Sequence, residues 1–309
     1  MTSDRRSFLQ TFTALTTSAL FTDNFAKSGP PEPLHIACNQ YNWITFYGRD
    51  GKEWMKDPDA SLSDFVKAGL TGYEPAFNKA DDVAKLAPYL KKYKLEMRSI
   101  YVGSALHKAE QSQESIDTIL AIADAAKPLG TRIVVSNPSP VKWGSQDNKT
   151  DTELATQAVS LDRLGAELRK RGLTLAFHNH DPELRAAARE FHHMMLATDP
   201  KNVSLCLDAH WVYRGSGNSQ VALFDIVKLY GKRIVELHIR QSQNGIWSET
   251  FGEGDIDYRR LVRELKALNV RPHLVLEQCV EKESPKTMDG VEAHKRDLMA
   301  AREVFAGLS

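Results

Sequence analysis

The chain has 309 residues, 42% of them hydrophobic and 26% charged, with a formal net charge of zero. That length admits one large α/β barrel or two smaller domains, and the neutral balance argues against a nucleic-acid-binding surface, which needs excess basic charge. Its three cysteines, Cys38, Cys206 and Cys279, are odd in number and lie in or beside expected strands, so they read as small buried core residues rather than disulfides.

In chain order, Ser3-Asp4-Arg5-Arg6-Ser7-Phe8-Leu9-Gln10 precedes a mildly apolar, Thr/Ala-rich stretch that runs to about Phe21. The pattern resembles a twin-arginine export signal over residues 1–26. A Ser/Thr-rich tail that happens to hold two arginines is the alternative. The stretch is too short and too polar for a membrane span. Residues 27–33 contain Gly29-Pro30-Pro31-Glu32-Pro33 and read as a stiff linker, which leaves residues 34–309 as the folded body. The expected location is therefore the periplasm or another exported compartment. Replacing Arg5 and Arg6 with Lys is expected to retain the protein in the cytoplasm, and unchanged export on cell fractionation would reduce the motif to coincidence.

The body reads as eight strand–helix units. Apolar runs predict strands at His35–Cys38, Gly72–Pro75, Glu96–Val102, Arg132–Asn137, Leu173–His178, Val203–Asp208, Ile234–Ile239 and His273–Gln278. Helical periodicity predicts Ser61–Ala68, Asp81–Lys92, Ser115–Ala126, Glu153–Lys170, Glu183–Leu196, Val221–Tyr230, Tyr258–Leu268 and Val291–Phe305. Gly69, Gly130 and Gly172 sit where helix C-caps are needed. Strict alternation implies a parallel sheet with right-handed crossovers, and eight units match a single-domain α/β fold, the closed (β/α)8 TIM barrel. A doubly wound sheet is the runner-up, but no Gly-rich phosphate loop follows the first strand. Two connections run long. Tyr41–Ala60 carries Trp43, Phe46, Tyr47, Arg49 and Trp54, and Gln241–Asp257 carries Trp247 and Phe251. Their aromatic rings suit either stacking on a sugar, with Trp43 and Trp247 as the candidates, or packing of the loops themselves.

Four successive strands end in a group that can ligate a metal or move a proton: His178, Asp208, His238 and Glu277. Strand C-termini are where parallel sheets place ligands and catalytic groups. Imidazole and carboxylate on adjacent staves suit one hard or borderline divalent ion. Glu74 ends the second strand on the same rim and can hold a sugar hydroxyl or form a structural ion pair. Arg240 shares the parity of His238 and can neutralise an enolate or pack against its own loop. His35, His107, His192, His193, His273 and His294 read as structural.

The runs His178-Asn179-His180-Asp181-Pro182-Glu183, Leu207-Asp208-Ala209-His210, Leu237-His238-Ile239-Arg240, Gly252-Glu253-Gly254-Asp255-Ile256-Asp257 and Leu276-Glu277 carry a resemblance. Over residues 34–306 the chain resembles the sugar phosphate isomerase/epimerase group, the xylose-isomerase-like barrels that also include endonuclease IV. The resemblance implies one divalent ion, manganese or zinc, held by Glu, Asp, His and Glu on the last four strands. Asp208, His238 and Glu277 match by position. His178 stands where many members have Glu, and Glu183 is its rival as the first ligand. The resemblance further implies proton transfer on a carbon next to a carbonyl, through a metal-stabilised enediolate. Glu183 and Glu277 are the carboxylates for that step. His180 joins them, and His180 and His210 can also bind substrate hydroxyls.

The expected activity is that of a metal-dependent isomerase or epimerase of a monosaccharide or keto-sugar. A keto-sugar or inosose lyase and a non-catalytic carbohydrate-binding protein remain as alternatives. An endonuclease-like DNA-repair enzyme fits neither the neutral charge nor the export signal. The expected partner is a small sugar, with no nucleic acid and no membrane apart from export.

Overall fold

The structure is a computed structural model that describes residues 34–308. The export-signal and linker readings fall on residues 1–33, outside the described residues. No helix among the described residues is long and apolar enough to cross a membrane.

The elements run β1 (Ile36–Asn39), α1 (Gln40–Arg49), α2 (Pro58–Lys67), β2 (Gly72–Glu74), α3 (Ala80–Tyr93), β3 (Ser99–Ser104), α4 (Ala109–Ala126), β4 (Ile133–Pro138), α5 (Asp151–Lys170) and β5 (Thr174–His178). They continue with α6 (Asp181–Ala197), β6 (Val203–Asp208), α7 (Ala209–Gly215), α8 (Gln220–Tyr230), β7 (Ile234–Ile239), β8 (Ser242–Gln243), β9 (Ile246–Trp247), α9 (Tyr258–Ala267), β10 (His273–Leu276) and α10 (Gly290–Val304). Eight strands form one parallel sheet in the order β2-β1-β10-β7-β6-β5-β4-β3. The two ends meet through parallel bridges Gly72–Glu96 and Ala76–Tyr101. Four backbone bonds seal them, among them Tyr73 N–H to the Glu96 carbonyl and Tyr101 N–H to the Pro75 carbonyl. Pro75 has no N–H, so the ladder is interrupted where β2 ends. The fold is the expected single-domain (β/α)8 barrel.

Local chemistry sets the helix boundaries. Thr150 and Glu153 form a reciprocal capping box on α5, and Asp57, Ser219, Asp257 and Asp289 each accept a backbone N–H at the start of α2, α8, α9 and α10. Gly130 and Gly172 take φ of 102° and 71° at the turns into β4 and β5, a conformation only glycine adopts without strain. Between the strands and the helices lies one large apolar core. Inside the barrel, alternate residues share a face. Ala176, Cys206 and Glu236 form a lower layer, with His178, Asp208 and His238 one step above them. All three cysteines are buried and free.

Three local expectations change. The connection after β1 is not a loop but the helix α1, started by the Asn39 side chain accepting from Tyr41 N–H at 2.7 Å. Its buried face carries Asn42, Trp43 and Phe46, a helical spacing that the density of aromatics obscures. The helix α4 begins six residues earlier than its periodicity suggested, at Ala109 rather than Ser115. The second long connection folds back on itself as the antiparallel pair β8–β9.

Candidate functional site

At the C-terminal rim, pairing register brings the strand ends side by side. His178 pairs with Cys206, Asp208 with His238, and His238 with Val275 two residues before Glu277. One ligand atom from each of His178, Asp208, His238 and Glu277 lies within 4.8 Å of the others, and all four residues are buried. His178 Nε2 is 3.2 Å from His238 Nδ1, 3.8 Å from Asp208 Oδ2 and 3.9 Å from Glu277 Oε2. His238 Nδ1 is 2.5 Å from Glu277 Oε2. Asp208 Oδ2 has no hydrogen-bond partner. An unpartnered carboxylate oxygen beside two imidazole nitrogens and a second carboxylate is costly to bury as it stands. A divalent cation would satisfy all four groups at once, so this mixed nitrogen and oxygen donor set fits one.

The surroundings hold the four groups in place. The far nitrogen of His238, Nε2, is 3.2 Å from Glu74 Oε2 and 3.4 Å from Glu236 Oε1. A carboxylate on the outward nitrogen of a ligating histidine is the usual way its ring is oriented. Asn179 donates to the Asp208 carbonyl and accepts from Asp208 N–H, which ties the end of β5 to the end of β6. Arg240 is fully buried. Its Nη2 donates to Glu277 Oε1 at 2.6 Å and its Nε to the Glu277 carbonyl at 2.7 Å. The guanidinium also lies over the Trp247 ring at 4.1 Å and the Trp211 ring at 5.3 Å.

Burial pushes the Asp208 carboxyl up to about 7, with Arg240 opposing the shift. Burial works the same way on Glu277, but Arg240 and His238 outweigh it and hold that carboxyl well below the usual range. His180 is lowered to about 4 by burial, so its imidazole is neutral at physiological pH.

Above the cluster opens a cavity of about 390 Å³, lined by Glu277, His180, Trp211, Trp247, Tyr101 and Trp143 on its walls, with Asn39, Gln40, Tyr41 and Ala76 completing the lining. Glu277 belongs to both the cluster and the cavity wall. His180 stands between Trp143 and Trp211, its ring 5.4 Å and 5.5 Å from theirs. His180 Nδ1 and the indole N–H groups of Trp211 and Trp247 have no partner within the protein. The three atoms are themselves buried, while the residues that carry them line the cavity.

The residues singled out from sequence are distributed as follows. Glu277, His180 and Trp247 line the cavity. Glu74 is fully buried beneath it, accepting from Asn39 at 2.6 Å and facing His238, and so supports a ring rather than a substrate hydroxyl. His210 is buried against Trp247 and Tyr213, with both ring nitrogens unpartnered. Arg240 sits behind Trp247. Glu183 is not in the cluster. It accepts from His180 N–H at 2.6 Å as the third residue of α6, and burial followed by Glu190 raises its carboxyl to about 7. Trp43 is not on the cavity at all. It stacks on Trp54 at 5.2 Å and meets His294 edge-on at 4.5 Å, in the core between α1 and α10. The turn of α1 that buries Trp43 leaves Tyr41 at the rim instead. Tyr101, Trp143 and Trp211 line the cavity without having been read from sequence. The available signal was a lone aromatic just past a strand end, three residues after Asp208 for Trp211 and five after Pro138 for Trp143.

Comparison with known proteins agrees with this architecture. Inosose dehydratase of Clostridium perfringens is 24% identical over 248 residues, covering 70% of this chain and 80% of that protein. D-allulose 3-epimerase from Methylomonas sp., solved in complex with D-allulose, superposes with a TM-score of 0.66 at 15% identity, covering 88% of this chain and 98% of that one. The IOLI protein with a bound zinc atom superposes with a TM-score of 0.64 at 15% identity, covering 89% and 99%. A family model described as xylose isomerase-like TIM barrel matches residues 62–300. With a match over well more than half of its length, the chain belongs to the xylose isomerase-like TIM barrel family.

Proposed function

We propose that the protein is a divalent-metal-dependent sugar isomerase or epimerase that moves a proton on a carbon next to a carbonyl. The observation that carries this reading is Glu277, one carboxylate shared by the buried cluster of His178, Asp208 and His238 and by the wall of the cavity above it. A bound manganese or zinc ion would polarise a sugar carbonyl and the neighbouring hydroxyl, which acidifies the carbon-bound proton. The bound zinc of the IOLI protein and the D-allulose of the Methylomonas epimerase support that pairing of ion and sugar on this scaffold.

The chain's own groups then divide the work. Arg240 clamps Glu277 through two hydrogen bonds, so one carboxylate oxygen points in a set direction. The Glu277 carboxyl is held ionised and can take a proton from the cavity side. His180, neutral and part of that wall, can take or return a proton at a second position. Trp211 and Trp247 line the cavity with aromatic rings that keep bulk water from the reacting carbons.

The test is incubation of the metal-loaded protein with a panel of keto-sugars in D₂O, followed by NMR. Deuterium next to the carbonyl, lost on metal removal and in Glu277→Gln, is the expected result. Sugars that bind without any exchange would overturn the reading. The inosose dehydratase relatives favour a second reading, a keto-sugar lyase on the same groups. In that case the NMR spectrum would show a product that has lost water. Export through the twin-arginine route belongs to the same proposal, since a folded, metal-loaded enzyme is suited to it.

A further inference from the structure

The cavity is larger than one sugar ring needs, and its outer end has a different character from its inner end. Its volume of about 390 Å³ falls among pockets of roughly 300–1,000 Å³ that enclose drug-sized molecules. A single close-packed hexose would fill only roughly half of it. The inner wall, formed by Glu277, His180, Trp211 and Trp247, is the part that meets the buried cluster. The outer lining includes two rings left largely in water: Tyr41 is 49% exposed and Trp143 is 59% exposed. Exposed rings at the mouth of a pocket offer a flat apolar face that a sugar ring can cover.

Their placement follows from the barrel. The four cluster residues come from β5, β6, β7 and β10, which are contiguous in the sheet. The strands that border this arc are β4 on one side and β1 on the other. Trp143 comes from the connection after β4 and Tyr41 from the start of α1 after β1. Both flanks of the cluster thus end in an aromatic platform one step further out.

Charge narrows the ligand. Among the described residues lining the cavity there is no Lys or Arg. The two guanidiniums that lie over the Trp247 ring are both engaged, Arg240 with Glu277 and Arg214 with Glu281. A phosphate group at the outer end would find no Lys or Arg among the lining residues to pair with.

We infer that the site takes an unphosphorylated sugar of two rings, a disaccharide or similar glycoside. The reacting ring sits against Glu277 and His180, and the second ring lies on Tyr41 and Trp143. The inference rests on the sugar-handling function proposed above and goes further in naming the substrate as neutral and extended.

The test uses ligands that share one half. Isothermal titration calorimetry on the metal-loaded full chain compares D-fructose, D-fructose 6-phosphate and the glucosyl-fructoses isomaltulose, turanose and leucrose. At least one glucosyl-fructose is expected to bind about tenfold or more tighter than D-fructose, with the phosphate ester no tighter than D-fructose. Trp143→Ala and Tyr41→Ala, both at exposed rings, are expected to shrink that preference to about threefold or less. The inference is overturned if no glucosyl-fructose binds tighter than D-fructose, if the phosphate ester binds tightest, or if the preference survives in both variants. Deuterium exchange on the same sugars keeps the two ideas apart. Tight disaccharide binding without exchange or elimination would leave the second ring's site standing and remove the proposed reaction. Exchange on D-fructose with no gain from the glucosyl group would do the reverse.

Discussion

Asp208→Asn is expected to leave the protein folded but without bound metal, and to lower turnover by about 100-fold or more. The two carboxylate oxygens of Asp208 do different things. Oδ1 accepts from Trp211 N–H at 2.7 Å and starts α7, while Oδ2 points unpartnered toward His178. Asn keeps an oxygen for the first role and offers no anionic oxygen for the second. Loss of groups that merely orient metal ligands already costs about 10–100-fold in affinity or activity, so loss of a ligand itself should cost at least as much. Metal content by plasma mass spectrometry and the far-ultraviolet circular dichroism of the variant give the two readouts. Full metal content in a folded Asp208→Asn protein would remove Asp208 from the ligand set.

The second large effect is expected on stability. Arg240→Ala should lower the unfolding free energy by about 3–5 kcal/mol, the usual cost of breaking a buried ion pair from one side. In a domain of this size that corresponds to a fall in Tm of roughly 6–20 °C. Glu277 would be left buried with only the imidazoles of His238 and His178 beside it, and the rings of Trp247 and Trp211 would lose the guanidinium that packs on them. Arg240→Lys should recover only part of the loss, because one ammonium cannot serve both the carboxylate and the carbonyl of Glu277. A Tm within about 2 °C of the parent for Arg240→Ala would mean that the pair contributes little.

Much of this was legible in the sequence because parallel strands buried on both faces read as apolar runs, and their polar ends stand out. Asp208, His238 and Glu277 announced themselves in this way, and so did the alternation that closes the barrel. What stayed hidden has physical causes. Trp43 and Tyr41 lie two residues apart, and only the rotation of α1 decides which one faces the core. Glu183 has the residue type and position of a catalytic acid, yet its carboxylate is spent on the His180 N–H. The capping partner there is a histidine, so the familiar Ser/Thr signature was absent. Glu236 lies inside the apolar run of β7, between Val235 and Leu237, where nothing in the sequence sets it apart. Its position under His238 becomes meaningful only when the barrel interior is assembled.

The seam between β2 and β3 has an implication for how such a barrel can change. The residues of one of its two bridges, Ala76 and Tyr101, both line the cavity, on the side of the barrel opposite the cluster strands. Joined by a few bonds around Pro75, this wall can be reshaped by substitution or insertion without shifting the register of β5, β6, β7 and β10. The wall is nevertheless wired to the cluster at two points, because Glu74 at the end of β2 lies 3.2 Å from His238 and the Tyr101 ring lies 5.3 Å from that of His178. A change in this wall that spares Glu74 and Tyr101 can therefore alter the shape of the cavity while leaving both imidazoles supported.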